Sequence, residues 1–503
     1  MSRPDWLEPL PDAAVMRATD RWAIEERGIP SLTLMERAGE GLARVVAGQV
    51  PAGRIAVVCG KGNNGGDGVV AARLLRQAGR EVDVLLVWPA ESLSDDAREQ
   101  LRLLSGAAPL PYAASQLEDA VGIVDALLGT GAGGAPKDPL AAVIEAIGAA
   151  GVPVVAADVP SGVDASTGEA PGAAIRAAAT AAFHEAKPGL WIRPGKEHAG
   201  IVEVVDIGIP PGAPAEPEAG LIGPGVLAAL PRRGAASTKF TSGNVVIVGG
   251  SSGLTGAPCM SALAAMRAGA GYVTVAAPAP LELAFAVRLL EAMFKGLPEA
   301  DGGLAPDALG AALDAVARAD AVVLGPGLGR RPGSQALARE LAGRIEVPLI
   351  VDADGLNALA GRLEDLRERP APTILTPHAG ELGRLLEVES AAVERRRLHH
   401  ARAAAARAQA VVVLKGDDTI VAEPSGRVAI SPGGAPALAT AGTGDVLSGV
   451  TGALAAKGLP PLDAACAAVF AHLRAGRLAA APHGPDGVIA SDVIAALPAA
   501  LSA

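Results

Sequence analysis

The segment ATAGTGDVLSG, residues 439–449, combines a carboxylate with small residues that expose backbone amides. Gly442, Thr443 and Gly444 precede a helical pattern, so their amides would point outward at the positive end of the helix dipole. Amides placed in this way form an anion hole for phosphate oxygens. Asp445 stands beside the hole, where it could accept the proton of a hydroxyl that attacks phosphorus. The pattern therefore predicts phosphoryl transfer.

Groups that suit the same chemistry follow other apolar runs. Lys415 and Thr419, in KGDDT, could hold nucleotide phosphates through a charge and a hydroxyl. His378, in LTPHAGE, directly follows a strand pattern and has Glu381 nearby. An ordinary helix cap would explain any one of these features, but their combination favours a site. No G-x-x-x-x-G-K-[ST] segment occurs, which excludes a P-loop by motif and indicates sugar-kinase-like chemistry.

A second glycine-rich loop, GKGNNGGDG at 60–68, contains the G-x-G-x-x-G spacing of a dinucleotide-binding turn. Such a site needs an acidic residue that closes the second strand about 20 positions on. Here that strand ends in Trp88 and Pro89. The pattern therefore does not support binding of a hydride carrier. The oxygens of Asn63, Asn64 and Asp67 suit a hard cation or ribose hydroxyls instead.

Two further strand ends of the N-terminal half carry matching groups. Asp125 is followed by GTGAGG, whose exposed amides could hold a pyrophosphate. Asp158 and Ser161 close the run VVAADVPSG. The carboxyl ends of parallel strands share one edge of a sheet, so these loops can converge on one crevice. The alternative is that each is an ordinary turn with a capping Asp or Ser.

The elements that must position these groups follow an alternation of short apolar runs and helical stretches. This alternation predicts crossover units and parallel sheets, hence an α/β protein. A chain of 503 residues exceeds the usual single core. The Pro-rich segment from 210 to 225 interrupts the alternation and indicates a linker. We therefore predict a first domain at 1–212, a linker at 213–224 and a second domain at 225–503.

Composition excludes several classes of function. A formal net charge of -11 argues against a nucleic-acid-binding face, and 4 Trp, 2 Tyr and 5 Phe are too few for a base-stacking platform. The N-terminus has no signal-peptide pattern, and no apolar run reaches the length of a membrane span. The three cysteines lie far apart in apolar surroundings, as expected of buried thiols in a reducing compartment. These features predict a cytoplasmic protein that binds neither nucleic acid nor membranes.

The N-terminal motifs resemble those of the NAD(P)H-hydrate epimerase family. MERAG at 35, GNNGGDG at 62, DALLGTG at 125 and DVPSGVDASTGE at 158 occur in family order, although Arg37 stands where many members carry asparagine. The resemblance implies a Rossmann-like three-layer fold, a potassium ion and Asp158 as acid/base. It also implies Asn64, Asp125 and Ser161 as potassium ligands. The residues implied for the hydrated dinucleotide are Asn63, Asn64, Gly65, Gly66, Asp67, Gly129, Thr130, Gly131, Ala132, Gly133, Gly134, Ala135 and Asp158.

The C-terminal motifs resemble those of ADP-dependent NAD(P)H-hydrate dehydratases, a ribokinase-like α/β/α family. GGSSGLTGAP, GPGLG, DADGLNAL, TPHAGE, KGDDT and ATAGTGDVLSG occur in family order, although Ala435 stands where many members carry asparagine. The resemblance implies Asp445 as the catalytic group, with ADP as phosphate donor and Mg²⁺ to screen its charges. The residues implied for the hydrate are Ala257, Gly327, His378 and Asp445. Those implied for the adenine nucleotide are Lys415, Gly416, Asp417, Asp418, Thr419 and Gly444.

Together these resemblances imply one repair system acting on small molecules, and self-association of related proteins makes a homo-oligomer an expectation. The first domain would interconvert the R and S hydrates, and the second would return the S form to NAD(P)H with ADP as donor. An alternative remains open at this point. GTGD alone also fits a vitamin- or sugar-type kinase, with the N-terminal domain as a non-catalytic nucleotide-binding module.

Overall fold

The computed structural model describes residues 3–502. Internal contacts divide the chain into two compact units. The N-terminal unit runs from Pro9 to Gly220, and the C-terminal unit combines the residues before Pro9 with those from Leu221 onward. Within the described residues, no helix is long and apolar enough to cross a lipid bilayer.

The N-terminal unit is built on seven parallel strands. The first strand of the chain, β1 (Leu7–Leu10), belongs to the other sheet. The seven are β2 (Ile55–Cys59), β3 (Val82–Leu86), β4 (Leu110–Pro111), β5 (Gly122–Ala126), β6 (Val154–Ala157), β7 (Ala179–Phe183) and β8 (Ile201–Val205). Their spatial order is β4-β3-β2-β5-β6-β7-β8, so the order reverses between β2 and β5. The helices are α1 (Ala13–Glu25), α2 (Ser31–Gln49), α3 (Asn63–Gln77), α4 (Asp95–Leu103), α5 (Leu140–Ala149) and α6 (Gly195–Ala199).

Helices cover both faces of this sheet, because its strands are apolar on both sides. Val57 of β2 packs in one cluster with Leu42 of α2 and Leu75 of α3. The next residue, Val58, faces the other way and packs with Ile144 of α5. The result is a three-layer arrangement, with a parallel sheet between two layers of helices, as the sequence predicts.

The C-terminal unit contains an eleven-stranded sheet. Its strands are β1, β9 (Ala219–Ile222), β10 (Asn244–Val248), β11 (Tyr272–Pro278), β12 (Met293–Leu297), β15 (Ala321–Leu324), β16 (Leu349–Val351), β17 (Thr373–Leu375), β18 (Val411–Leu414), β19 (Ile420–Ala422) and β20 (Val428–Ile430), and a separate ribbon consists of β13 (Glu299–Ala300) and β14 (Gly303–Leu304). The spatial order is β1-β9-β20-β19-β18-β17-β16-β15-β10-β11-β12. The strands from β18 to β12 are parallel, whereas β18, β19 and β20 run antiparallel.

The helices of this unit complete an α/β architecture and confirm the predicted fold class. They are α7 (Gly256–Arg267), α8 (Glu282–Arg288), α9 (Leu309–Val316), α10 (Pro332–Arg344), α11 (Asp354–Ala358), α12 (Ala379–Leu386), α13 (Ser390–Arg395), α14 (Arg397–Ala408), α15 (Thr443–Ala456), α16 (Pro461–His483) and α17 (Ala490–Leu501). Ile247 of β10 packs in one cluster with Val450 of α15 and Phe470 of α16. The strand order reverses at β10, which lies between β11 and β15.

The structure differs from the predicted segmentation at two places. Part of the predicted linker, 213–224, forms strand β9, because its apolar residues Leu221 and Ile222 are buried. The residues before Pro9, predicted to belong to the first domain, fall in the C-terminal unit, and Leu7 packs in its core. The sequence signal for strand β9 is the short apolar run after the proline-rich stretch.

Candidate active sites

A cavity of about 680 Å³, here called the N-terminal cavity, opens at the carboxyl edge of the first sheet. It adjoins the ends of β2 and β5, where the strand order reverses and where open α/β sheets commonly bind ligands. Its polar lining residues are Arg17, Asp20, Ser31, Lys61, Asn63, Asn64, Asp67, Thr130 and Asp158. Apolar lining residues include Met16, Leu34, Met35, Trp88, Leu127, Leu128, Phe183 and Ile207.

Asp158, which follows β6, is held in this cavity as an ionised carboxylate. Its Oδ1 accepts hydrogen bonds from Lys187 Nζ at 2.5 Å and from the Phe183 amide at 3.2 Å. Its Oδ2 accepts from the hydroxyl of Thr130. Burial alone would raise the pKa of Asp158, but the Lys187 ammonium and these hydrogen bonds bring that pKa below its usual value. Asp158 can therefore accept a proton at neutral pH.

Lys187 is the ion-pair partner of Asp158 and has no role in the predictions from the sequence. Its side chain is fully buried, does not line the cavity, and donates a second hydrogen bond to the Phe183 carbonyl at 2.8 Å. A buried lysine almost always has a specific partner. The position of this lysine, four residues after the buried strand β7, could therefore have indicated a charged partner nearby. Lys187 thus contacts Asp158 without lining the cavity.

Two other carboxyl groups in the cavity, those of Asp67 and Asp20, have raised pKa values. Burial, together with the charges of Asp158 and Asp20, raises the pKa of Asp67 well above its usual value. Burial and the charge of Asp158 raise the pKa of Asp20 to about 6, although Lys187 opposes the shift. The sequence analysis missed Asp20, because a single acid on a predicted amphipathic helix has no distinguishing pattern. The cavity thus contains carboxyl groups in different protonation states.

The residues implied for potassium lie together beside the cavity. Asp125 accepts hydrogen bonds from the Ser161 amide at 2.8 Å and the Ser161 hydroxyl at 2.7 Å. Asn64 donates through Nδ2 to the Leu128 carbonyl at 3.0 Å, which leaves its Oδ1 as an acceptor. Asp125 is completely buried, and burial raises its pKa to about 6. No cation pairs with Asp125 among the described residues, so these oxygens fit a monovalent cation.

Five of the residues implied for the hydrate do not line the N-terminal cavity. Gly65 and Gly66 do not line the N-terminal cavity, because the start of α3 packs closely there. A Cβ at Gly65 would lie 2.1 Å from the Gly60 carbonyl oxygen, and one at Gly66 would lie 2.7 Å from Met35. Gly133, Gly134 and Ala135 line a neighbouring cavity of about 350 Å³, which shares Trp88, Leu128, Ala132 and Leu140 with the first.

In the C-terminal unit, Asp445 lies in the first turn of α15, as predicted. Gly442 caps this helix with φ of 89°, a conformation that favours glycine. Burial and the charge of Asp352 raise the pKa of Asp445 to about 7, with Lys415 acting in the opposite direction. A carboxyl group with a pKa near neutrality is well matched to take a proton from a hydroxyl.

Lys415, at the end of β18, connects Asp445 to two further carboxylates. Its Nζ lies 3.0 Å from Asp352 Oδ1 and 3.6 Å from Glu381 Oε2. Burial alone would lower the pKa of Lys415, but these carboxylates raise it above its usual value. A Cβ at Gly444 would lie 3.5 Å from Nζ. A permanent positive charge therefore stands beside the amides that begin α15.

His378 is both a helix cap and a site group. Its Nδ1 accepts hydrogen bonds from the amides of Gly380 at 3.0 Å and Glu381 at 3.3 Å, at the start of α12. Burial and the neighbouring cations lower the pKa of His378, although Glu381 opposes them. With Nδ1 occupied as an acceptor, the neutral ring carries its proton on Nε2. The exposed imidazole can thus donate a hydrogen bond.

A cavity of about 480 Å³, here called the C-terminal cavity, lies beside the start of α15. Five residues implied for the nucleotide line it: Lys415, Gly416, Asp417, Thr419 and Gly444. Asp418 does not line it, since its fully buried carboxylate accepts a hydrogen bond from Arg397 Nε at 2.9 Å. Ala435, the departure from the family pattern, lines the cavity.

Ala257 and Gly327 line none of the three cavities. Ala257 lies in the first turn of α7, and Gly327 lies in the loop after β15. Ser251 donates a hydrogen bond to the Gly327 carbonyl at 3.0 Å, and a Cβ at Gly327 would lie 2.2 Å from the Leu254 carbonyl oxygen. Helix α7, which begins at Gly256, contacts α15 through Ser261, whose hydroxyl donates to the Asp445 carbonyl at 2.8 Å. The loop that contains Gly327 therefore lies beside the start of α7, and α7 contacts α15.

Arg37, the departure from the family pattern in the first unit, does not line the N-terminal cavity. Its guanidinium donates a hydrogen bond to the Ile207 carbonyl at 3.1 Å. The side chain is exposed and lies on α2. Arg37 therefore contacts the segment that contains Ile207, a lining residue of the cavity.

Comparison with known proteins gives a match in each unit. Residues 31–189 match the family model of the YjeF-related protein N-terminus. Residues 245–499 match the family model of NAD(P)H-hydrate dehydratase. The first match leaves out Met16, Arg17, Asp20, Ile24 and Ile207 of the N-terminal cavity, whereas the second contains every residue that lines the C-terminal cavity.

Relatives match over nearly the whole chain. A bifunctional NAD(P)H-hydrate repair enzyme of Salinibacter ruber is 42% identical, with 97% of this chain and 95% of the relative covered. One from Moorella thermoacetica is 43% identical, with coverages of 97% and 96%. Among solved structures, an ADP/ATP-dependent NAD(P)H-hydrate dehydratase from Bacillus subtilis is 32% identical with a TM-score of 0.49 and covers 55% of this chain and 94% of its own.

Proposed function

Since this chain belongs to the family of bifunctional NAD(P)H-hydrate repair enzymes, we propose that its two units restore hydrated NAD(P)H in two successive reactions. The N-terminal unit is the epimerase that interconverts the R and S hydrates. The C-terminal, ribokinase-like unit is the ADP-dependent dehydratase that converts the S form to NAD(P)H. The observation that carries this proposal is the position of Asp445 in the first turn of α15, directly after Gly444, which the Lys415 ammonium adjoins.

The dehydratase solves a leaving-group problem, because hydroxide leaves poorly from C6 of the hydrated ring at neutral pH. Asp445 accepts the proton of the C6 hydroxyl, and the oxygen attacks the terminal phosphorus of ADP. The amides at the start of α15 and the Lys415 ammonium stabilise the charge on the phosphoryl oxygens. The lone pair of the ring nitrogen then expels phosphate and forms an iminium bond to C6, and loss of a proton from C5 forms the C5–C6 double bond. The products are NAD(P)H, AMP and inorganic phosphate.

In the C-terminal cavity, the lining residues suit the adenine nucleotide. Lys415 and Thr419 offer a positive charge and a hydroxyl to phosphates, and Leu447, Val469 and Leu473 offer apolar surface to the base. His378 is proposed to donate a hydrogen bond to the hydrate through Nε2, which lies 3.5 Å from Glu381 Oε1. We therefore assign Asp445 a place between the nucleotide donor and the hydroxyl acceptor, at the edge of a cavity that it does not itself line.

In the N-terminal unit, Asp158 is the acid/base of the epimerase. The ionised carboxylate accepts a proton from the water that adds to C6. Lys187 keeps Asp158 ionised, and the Thr130 and Phe183 donors fix its orientation. Asn63, Asp67 and the loop after β5 line the same cavity and are proposed to hold the dinucleotide.

A potassium ion would be held by Asn64, Asp125 and Ser161. It would supply the positive charge that the buried Asp125 carboxylate lacks, and so fix the turn at Leu128. Mg²⁺ has no comparable set of side-chain ligands, because residues 3–502 contain no group of three His, Cys, Asp or Glu side chains that could hold a metal ion. Any Mg²⁺ therefore enters with the phosphates of the nucleotide.

Pure R and S hydrates test this function in a single assay. With ADP, the full chain is expected to restore the near-ultraviolet absorbance of NAD(P)H from the S form directly and from the R form after epimerisation. Recovery without any added alcohol excludes a vitamin- or sugar-type kinase, which would need such an acceptor. Without ADP, the R form should still convert to an R and S mixture. No recovery from S hydrate with ADP would contradict the proposed function.

A further inference from the structure

Three carboxyl groups share the N-terminal cavity, and their surroundings are unequal. Asp158 accepts hydrogen bonds from an ammonium, an amide and a hydroxyl. Asp67 lies in the first turns of α3 and lines the cavity, with 8% of its surface exposed. Among the described residues, its carboxyl has no hydrogen bond or ion pair. An ionised carboxylate this deeply buried would lack compensation, which favours the protonated form.

The neighbouring carboxylates also favour the protonated form of Asp67. Asp20, on α1, and Asp158, after β6, both line the cavity, and the charge of each raises the pKa of Asp67. Helix α2 presents the apolar Leu34, Met35 and Ala38 to this space. The cations near the cavity are Arg17, Lys61 and, behind Asp158, Lys187. Carboxyl groups whose surroundings separate their protonation states are a recurrent basis for acid and base assignment.

We propose that Asp67 is the proton donor to the C6 hydroxyl in the epimerase reaction, with Asp158 as the complementary base and Asp20 as a positioning residue that keeps Asp67 protonated. This inference rests on the proposed function of the N-terminal unit. It assigns two separate proton-transfer groups to one cavity.

The proposed step balances in atoms and electrons. The Asp67 carboxyl transfers its proton to the C6 hydroxyl oxygen, the C6–O bond breaks, and water leaves with the bonding pair. The lone pair of the ring nitrogen forms a double bond to C6. A water molecule then adds to the other face of C6, the double-bond pair returns to nitrogen, and Asp158 accepts the proton of that water. Asp158 then releases this proton to solvent, and solvent returns a proton to Asp67.

Asp67→Asn tests this assignment in the full chain. The amide keeps the size of the carboxyl but cannot supply the proton, so kcat for R to S conversion should fall about 10²- to 10⁴-fold with little change in KM. Asp119→Asn, at a carboxylate whose side chain is 95% exposed, is the matched control and should leave epimerisation unchanged. A rise in KM at constant kcat would assign Asp67 to binding alone and overturn the proposal.

Two further measurements separate proton donation from a structural role. Acetic acid should restore turnover to Asp67→Ala in proportion to its undissociated form, and absence of rescue would contradict the proposal. In the parent chain, epimerase kcat/KM should fall at high pH as Asp67 loses its proton. Asp20→Asn should move this limb to lower pH, because it removes a neighbouring negative charge. An unmoved limb would assign it to another group and overturn the proposal.

These results distinguish the inference from the function on which it rests. If the parent chain does not interconvert R and S hydrates, the proposed function of this unit fails. If the parent and Asp67→Asn interconvert them equally fast, only the assignment of Asp67 fails.

Discussion

Replacing Asp445 by Asn is expected to lower kcat for dehydration of the S hydrate about 10²- to 10⁴-fold, because an amide cannot accept the proton of the C6 hydroxyl. Asparagine has nearly the same shape, so the start of α15 should keep its structure. KM for ADP should change little, since Lys415 and the amides of α15 remain. The measurement is recovery of NAD(P)H absorbance with saturating ADP and S hydrate.

The pH profile gives an independent check on Asp445. Dehydration by the parent chain should rise with pH through about 7, because only the ionised carboxylate acts as base. Asp314→Asn, at an exposed carboxylate on α9, is the matched control and should keep the parent rate. Parent-like dehydration by Asp445→Asn would rule out Asp445 as the base.

Replacing Asp158 by Asn is expected to lower the rate of R to S conversion about 10²- to 10⁴-fold. The reason is loss of the proton acceptor, and the buried Lys187 would also lose its charged partner. With a mixture of R and S hydrates and excess ADP, the parent should consume both forms. The variant should consume the S fraction at the parent rate and leave the R fraction.

Chromatography of the two hydrates measures this outcome. Asp119→Asn again serves as the control and should consume both forms. A non-catalytic N-terminal module would give a different result, since Asp158→Asn and the parent would then consume the R form at the same rate. Loss of S consumption as well would indicate that the change acts beyond the epimerase unit.

The strands that the sequence predicts best are those with consecutive β-branched or leucine residues. IAVVC and VVVL form β2 and β18, because long apolar runs suit a sheet buried on both faces. ATAAF also forms a buried strand, β7, yet its alanines carry little strand preference. Its position between β6 and β8 is decided by packing in the sheet and not by its local sequence.

Candidate site residues were predictable where a polar group lies near the end of a strand or directly after it, as with Asp125, Asp158 and Lys415. Groups that reach the cavity from helices were harder to predict. Asp20 lines the N-terminal cavity from α1, and its separation from Asp158 in sequence conceals their interaction. Asp418 shows the converse, because a residue within a predicted binding segment instead pairs with Arg397. Side-chain direction in a short turn depends on partners that spacing does not reveal.

The central claim is that the C6 hydroxyl leaves as phosphate, and an oxygen label tests it most directly. S hydrate carrying ¹⁸O in that hydroxyl is converted with ADP by the Asp158→Asn chain, which prevents exchange of the label through epimerisation. Mass spectrometry of the products should find the label in inorganic phosphate, with none in AMP. Label in water, with unlabelled phosphate, would contradict transfer of phosphorus to the C6 oxygen.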